Sequence, residues 1–204
     1  MIVIVDYGVG NLSSVSNMLR KAGGDVTVSR DPREILAADK LLLPGVGHFD
    51  HGMKMLNASG LREALDRFAL ELRRPVLGIC LGAQILGQRS EEGVAPGLGW
   101  IDMECHRFEA MPSIRVPHMG WNQIVRKKPS PLLYQMSDDA RFYFVHSYWM
   151  ECSDQRDVLA TASHGIEFTC AVQRGNIFGT QFHPEKSLRH GLAMMRAFVG
   201  LQST

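Results

Sequence analysis

The 204-residue sequence has almost no net charge: 22 basic side chains nearly cancel 21 acidic ones, leaving +1 with histidine neutral. Without a large basic excess, a nucleic-acid or anionic-membrane surface is not expected. The chain also lacks any apolar run near the roughly 18 residues that a membrane-spanning helix requires. Residues 1–6 have no basic stretch, and their apolar run is too short for a secretory leader, so they read as a buried strand. A cytoplasmic location is the corresponding expectation. No linker, low-complexity stretch or internal repeat divides the chain. Cysteine is scarce too. Cys80, Cys105, Cys152 and Cys170 form no Cys-x-x-Cys pair, which removes the usual zinc and redox motifs, and structural disulfides are not expected. Cys105, Cys152 and Cys170 read as small buried apolar side chains.

What the chain does have is enough apolar material for one core, at 45% of residues. A single domain over 1–204 is expected, burying roughly 70% of the unfolded surface without staples. Apolar strands at Ile2–Val5, Val26–Val28, Leu41–Leu43 and Val76–Ile79 alternate with helical stretches near 12–22 and 61–72. A further helix begins at Asp31-Pro32, an N-cap followed by proline at the first helical position. This alternation predicts an α/β fold with a mostly parallel central sheet and helices on both faces. From residue 99 to about 179 the segments are shorter and richer in β-formers, at Arg141–Val145, Phe168–Val172 and Asn176–Gln181, which predicts antiparallel strands added to the same domain. A closing helix is expected over about 187–199, with Leu188, Leu192, Met195 and Val199 at helical spacing.

One segment concentrates chemistry. Val76–Ile79 runs into Cys80 and then, almost without a turn, into a helical stretch from Gly82 to Gly87. A cysteine on a strand-to-helix junction, with glycine two residues to either side, has the pattern of a nucleophile elbow with sulfur in place of oxygen. The positive end of the following helix favours thiolate. About a hundred residues on, His183-Pro184-Glu185 follows a short strand that Pro184 stops. Glu185 can reach back to orient the imidazole, so a Cys–His–acid relay is available for acyl transfer.

The elbow around Cys80 together with Gln181-Phe-His-Pro-Glu185 resembles the class I, triad-type glutamine amidotransferases. Four more segments are similar to one subfamily, the glutaminase subunits that serve a (β/α)₈-barrel cyclase in histidine biosynthesis: Asp6-Tyr-Gly-Val-Gly-Asn11, Leu43-Pro-Gly-Val-Gly47, Pro117-His-Met-Gly-Trp-Asn122 and Phe142-Tyr-Phe-Val-His-Ser-Tyr148. The likeness spans essentially the whole chain and implies a flavodoxin-like fold. It implies Cys80 as nucleophile, His183 as general acid and base, and Glu185 as orienting carboxylate in the hydrolysis of L-glutamine through a glutamyl-thioester. It places the oxyanion hole at the N–H of Leu81 and in the Gly45–Val46 segment, where Val46 replaces the second glycine of the commoner Pro-Gly-Gly pattern. It assigns glutamine binding to Gln84, Glu92 and the backbone of Ser147 and Tyr148. A heterodimer with the cyclase is implied, its interface and ammonia gate drawn from Asn11, His118, Met119, Trp121, Asn122, Tyr143 and Lys186. It implies no cofactor, metal, nucleic acid or membrane. Ala83 and His164 depart from the subfamily's usual methionine and aromatic.

Three weaker readings compete. Asp6–Asn11 sits between strand and helix like a phosphate loop, but lacks the third glycine of a dinucleotide fingerprint and the lysine of a P-loop. His48 with His51, or His183 with His190, are histidine pairs without further assembled metal ligands. A glutaminase of the same chemistry could instead feed another acceptor, as in surface-polysaccharide pathways.

Overall fold

The computed structural model describes residues 1–110 and 114–202. In its first half, β1 (Ile2–Val5), α1 (Leu12–Lys21), β2 (Val26–Ser29), α2 (Pro32–Ala37), β3 (Lys40–Gly45), α3 (Phe49–Ala58), α4 (Arg62–Asp66) and β4 (Val76–Cys80) alternate as expected, with α3 an additional helix that the sequence patterns do not predict. The strands pair in parallel in the order β2-β1-β3-β4. Their near-continuous apolar character follows from cover on both faces. Val3, Val5, Leu41, Leu43 and Val76 enter one core cluster, while Ile2, Ile4, Leu42, Leu77 and Ile79 enter the other. That split is the two-residue alternation of strand side chains.

The second half comprises α5 (Leu81–Gln84), β5 (Arg89–Ser90), β6 (Met103–Arg107), β7 (His118–Gln123), β8 (Val125–Arg126), β9 (Arg141–His146), β10 (Tyr148–Cys152), β11 (Val158–His164), β12 (Ile166–Arg174), β13 (Ile177–Thr180) and α6 (Leu188–Gly200). β13 adds to β4 in parallel, and β12, β10 and β6 then continue the sheet antiparallel. Among the described residues the result is an eleven-stranded sheet, with β7 and β9 forming a separate antiparallel ribbon.

Three helices depart from their expected form. α4 passes into a widened π turn over Arg67–Glu71, which puts Phe68 and Ala69 in the core. α5 is a single turn and does not reach Gly87, where the chain presses so closely on Met103 that a Cβ would lie 2.6 Å from its carbonyl oxygen. α6 buries Gly191, Met194, Met195 and Phe198, and Leu188 is 71% exposed. The cause is Gly191: a Cβ there would meet the Pro184 carbonyl oxygen at 1.8 Å, so the helix rotates its glycine onto the segment that carries His183.

Candidate active site

β4 delivers Cys80 with φ 54° and ψ −113°, a backbone conformation rare for any residue with a side chain. The strain persists because close packing leaves no alternative path. A Cβ on Gly82 would lie 1.9 Å from the Leu43 carbonyl oxygen, and one on Gly78 2.4 Å from that of Gly82. β3 and β4 end in register, Gly45 opposite Cys80, and Gly45 packs directly on the Leu81–Gly82 turn. Val46 keeps an ordinary negative φ and points outward, 44% exposed, beside Gly47 at φ 94°. Cys80 opens onto a cleft of about 250 Å³. That is below the roughly 300–1,000 Å³ of drug-sized pockets and suits a ligand of amino-acid size. The other cysteines are buried, and burial pushes their thiols up, that of Cys152 to about 12.

His183 is brought to the same cleft by a single bridge to β9: its N–H donates to the Tyr143 carbonyl at 2.9 Å, and Tyr143 N–H donates to Ser187 Oγ at 2.9 Å. His183 Nδ1 lies 2.7 Å from Glu185 Oε1, and both side chains are 3% exposed. This bond makes Nδ1 the donor, so in the neutral ring Nε2 is the free base. Nε2 is buried with no hydrogen bond in place, and the Cys80 thiol lies close enough to act on it both as a hydrogen-bond partner and through its charge. Burial alone pulls the imidazole pKa down. Cys80 and Glu185 outweigh it and raise it to about 9.

A chain of amides runs beneath the cleft. Gln84 Nε2 donates to Gln181 Oε1 at 2.9 Å and to the Tyr148 carbonyl at 3.3 Å. With both hydrogens used, Gln84 offers a ligand only its acceptor oxygen. Gln181, fully buried, turns its own Nε2 to Cys80 Sγ at 3.8 Å. Glu92 accepts from the first N–H of α3, Phe49 N, at 2.8 Å. One carboxylate oxygen is thereby fixed and the other remains for a cation.

Val46, Cys80, Leu81, Gln84, Glu92, Ser147, Tyr148, His183 and Lys186 all line this cleft, with Gly45 and Glu185 directly behind it. The expected interface residues divide by strand face. Met119 and Trp121 stand outward on β7, 62% and 46% exposed. Trp121 meets Tyr143 edge-to-face at 6.2 Å, and Lys186 Nζ lies 5.7 Å from the centre of the Tyr143 ring. Asn11 is exposed, but its side chain caps α1 by accepting from Ser14 N–H. His118 corrects the expectation: it is buried, on the inner face of β7, because strand alternation opposes it to Met119. Asn122 shares that inner face, half-buried. Sequence reasoning gave no role to Gln181, to His146 in the cleft wall, or to Tyr7, whose buried hydroxyl donates to the Pro44 carbonyl at 2.6 Å and braces the Gly45–Val46 segment.

The pattern of the glutamine amidotransferase class-I family matches residues 3–200. A relative from Pseudomonas aeruginosa, named imidazole glycerol phosphate synthase subunit HisH 2, is 51% identical over 98% of this chain and 100% of its own. One from Leptospira interrogans, named imidazole glycerol phosphate synthase subunit HisH, is 45% identical over 98% and 100%. Among solved structures, PurLQS from Thermotoga maritima superposes with a TM-score of 0.70 at 17% identity, over 96% of this chain and 95% of that one, a likeness of fold.

Proposed function

The chain belongs to the class-I glutamine amidotransferases, and from that premise we infer that it is the glutaminase subunit of imidazole glycerol phosphate synthase. The near-full-length identity to relatives of that name supports the pathway. The observation that carries the chemistry is the strained Cys80 elbow set in one cleft with a His183 whose tautomer Glu185 fixes at 2.7 Å.

In this reading glutamine enters with its α-ammonium toward the free oxygen of Glu92 and the acceptor oxygen of Gln84. Its α-carboxylate meets the backbone of Ser147 and Tyr148. Cys80 transfers its proton to His183 and attacks the side-chain carboxamide carbon. The oxyanion that forms is held by Leu81 N–H and by an N–H of the Gly45–Val46 segment, each such donor being worth about 2.7–4 kcal/mol in other hydrolases. His183, as imidazolium, protonates the departing nitrogen, so ammonia leaves and a glutamyl-thioester remains. A water molecule, deprotonated by His183, attacks the thioester carbonyl, and the thiolate departs as glutamate is freed. Glu185 keeps the imidazole in the tautomer both half-reactions need.

The partner is a (β/α)₈-barrel cyclase. Met119 and Trp121 on the ribbon's outer face form the docking surface, with Tyr143 and Lys186 beside the cleft where ammonia passes across. Turning a Val46 N–H into the oxyanion hole costs on the order of 1–3 kcal/mol of backbone strain that glycine would avoid. Docking offsets that cost, so the free subunit conserves glutamine.

Glutamate release is measured with the chain alone and with the cyclase carrying its ribonucleotide. Activity should be negligible alone, rise by about a hundredfold or more in the complex, and vanish in Cys80→Ser. High activity without the partner would overturn the mis-set oxyanion hole. Failure of this cyclase to activate would move the ammonia to another acceptor.

A further inference from the structure

His118 and His146 face each other on the inner side of the β7–β9 ribbon, partners in its register. Their contacts fix the place of every ring proton. His146 Nδ1 lies 2.7 Å from the Tyr148 carbonyl oxygen, which can only accept, so Nδ1 carries the hydrogen. Nε2 of the neutral ring is then an acceptor, and at 2.9 Å from it His118 Nδ1 must donate. That leaves His118 Nε2 as an acceptor, facing Asn122 Nδ2 at 3.2 Å. Asn122 cannot present its oxygen there instead, because the same Nδ2 donates to the Ser163 carbonyl at 2.8 Å.

The line therefore runs in one direction, Asn122 to His118 to His146 to the Tyr148 carbonyl. A further proton on either ring would set two donors against each other, and only a flip of Asn122 that breaks its bond to Ser163 could relieve this. Burial acts in the same sense, lowering His118 to about 4 and His146 to about 3. Among the described residues, the other groups packed on the pair are His164, stacked on His118 at 4.3 Å and held by the Arg115 carbonyl, and the rings of Phe108, Phe144 and Phe168. His183 acts on His146 through space.

The Tyr148 carbonyl is where this line meets the amides under the cleft, since it also accepts from Gln84, whose partner Gln181 reaches Cys80 Sγ. At the other end, His118 and Asn122 share β7 with the outward Met119 and Trp121. We propose that His118 and His146 are positioning residues for glutamine turnover, a one-way hydrogen-bond relay that fixes the Tyr148 carbonyl, and with it Gln84, from the inner face of the docking strand. The substrate in this statement rests on the glutaminase reading above; the order of protons does not.

Two measurements test it. In the full-length chain, ¹⁵N chemical shifts of the imidazoles should show His118 and His146 both as Nδ1–H tautomers, neutral throughout pH 5.5–8. An Nε2–H tautomer or a titration in that window, in either ring, overturns the relay. In the complex with the cyclase, His118→Leu should raise the KM for glutamine about tenfold or more, whereas His118→Asn, which keeps an amide donor near the Nδ1 position, should stay within about threefold. Phe108→Leu disturbs the same aromatic cluster without touching a hydrogen bond of the line. It should lower Tm and leave KM within about twofold, which a packing role for His118 would not allow. A KM unmoved in His118→Leu, or moved equally in Phe108→Leu, overturns the proposal. Absence of glutamate release from the unaltered complex would instead sink the glutaminase reading, and the imidazole shifts would still decide the relay.

Discussion

His183 is caught between burial, which disfavours its charge, and two neighbours that favour it, and the neighbours prevail. With its pKa raised to about 9, the ring firmly holds the proton it takes from Cys80 and can deliver it to departing ammonia. The alkaline limb of kcat/KM should accordingly fall near pH 9, as a property of the Cys80–His183 pair together. Glu185→Gln removes the carboxylate that raises this pKa, so the limb should shift to lower pH by about one unit or more while kcat drops. A limb that stays in place would mean that Glu185 does not govern the imidazole. The same shift makes a stability contribution, because a pKa raised on folding favours the folded chain at low pH. It is fully present below the unfolded histidine value of about 6.5 and is lost as pH rises through about 9. Cys80, His183 and Glu185 were legible in the sequence because each stands in a short local pattern. Gln181, Tyr7 and His146 were not, for their partners are made by folding: Gln181 meets a thiol 101 positions away, and Tyr7 a carbonyl 37 positions away.

The elbow is a device of three elements, since β3, β4 and α5 meet where no side chain fits between them. Gly82→Ala would place a methyl group 1.9 Å from the Leu43 carbonyl oxygen, a backbone atom that cannot step aside. Overpacking of this kind costs about 1–3 kcal/mol, and a backbone obstacle puts it at the upper end, a fall in Tm of roughly 6–12 °C for a chain of this size. Activity should fall further than stability, because the turn that shifts also carries Leu81 N–H. Gly200→Ala, with nothing within 4 Å of the new methyl, is the control and should leave both unchanged. A thermal melt of Gly82→Ala that matched Gly200→Ala would contradict the interlocked elbow. The strand–helix alternation was readable because short continuous apolar runs and the Asp31 cap are local signals. The buried face of α6 was not: Leu188, Leu192 and Val199 have the right spacing, but Gly191 sets the helix rotation through its contact with Pro184, and a glycine carries no hydropathy signal.

Across the whole molecule the inner strands of the parallel sheet end in chemistry at their carboxyl ends, and the β7–β9 ribbon lies beside those ends with one face left over. Both apolar clusters use strands of the same sheet, Leu41 and Leu43 on one side and Leu42 on the other, and we propose that residues 1–204 fold as one domain on that account. The general architecture was legible from the order of elements, but the sense of the ribbon was not, because His118 and Met119 both read as contact residues until alternation assigned one to each face. Among the described residues no helix is long and apolar enough to cross a membrane. In the proposed complex the cyclase covers the exposed Met119 and Trp121. Large rings at the centre of an interface contribute about 2–4 kcal/mol or more on truncation, and Trp121 stands against Tyr143 near the cleft mouth. Trp121→Ala should therefore weaken the complex with the cyclase by about thirtyfold or more in titration calorimetry. Leu70, similarly exposed at 49%, packs near Pro75 and Asn176 at the far end of β4 from Cys80. Leu70→Ala should bind like the unaltered chain; if it weakens the complex as much as Trp121→Ala, the cyclase does not dock on the ribbon.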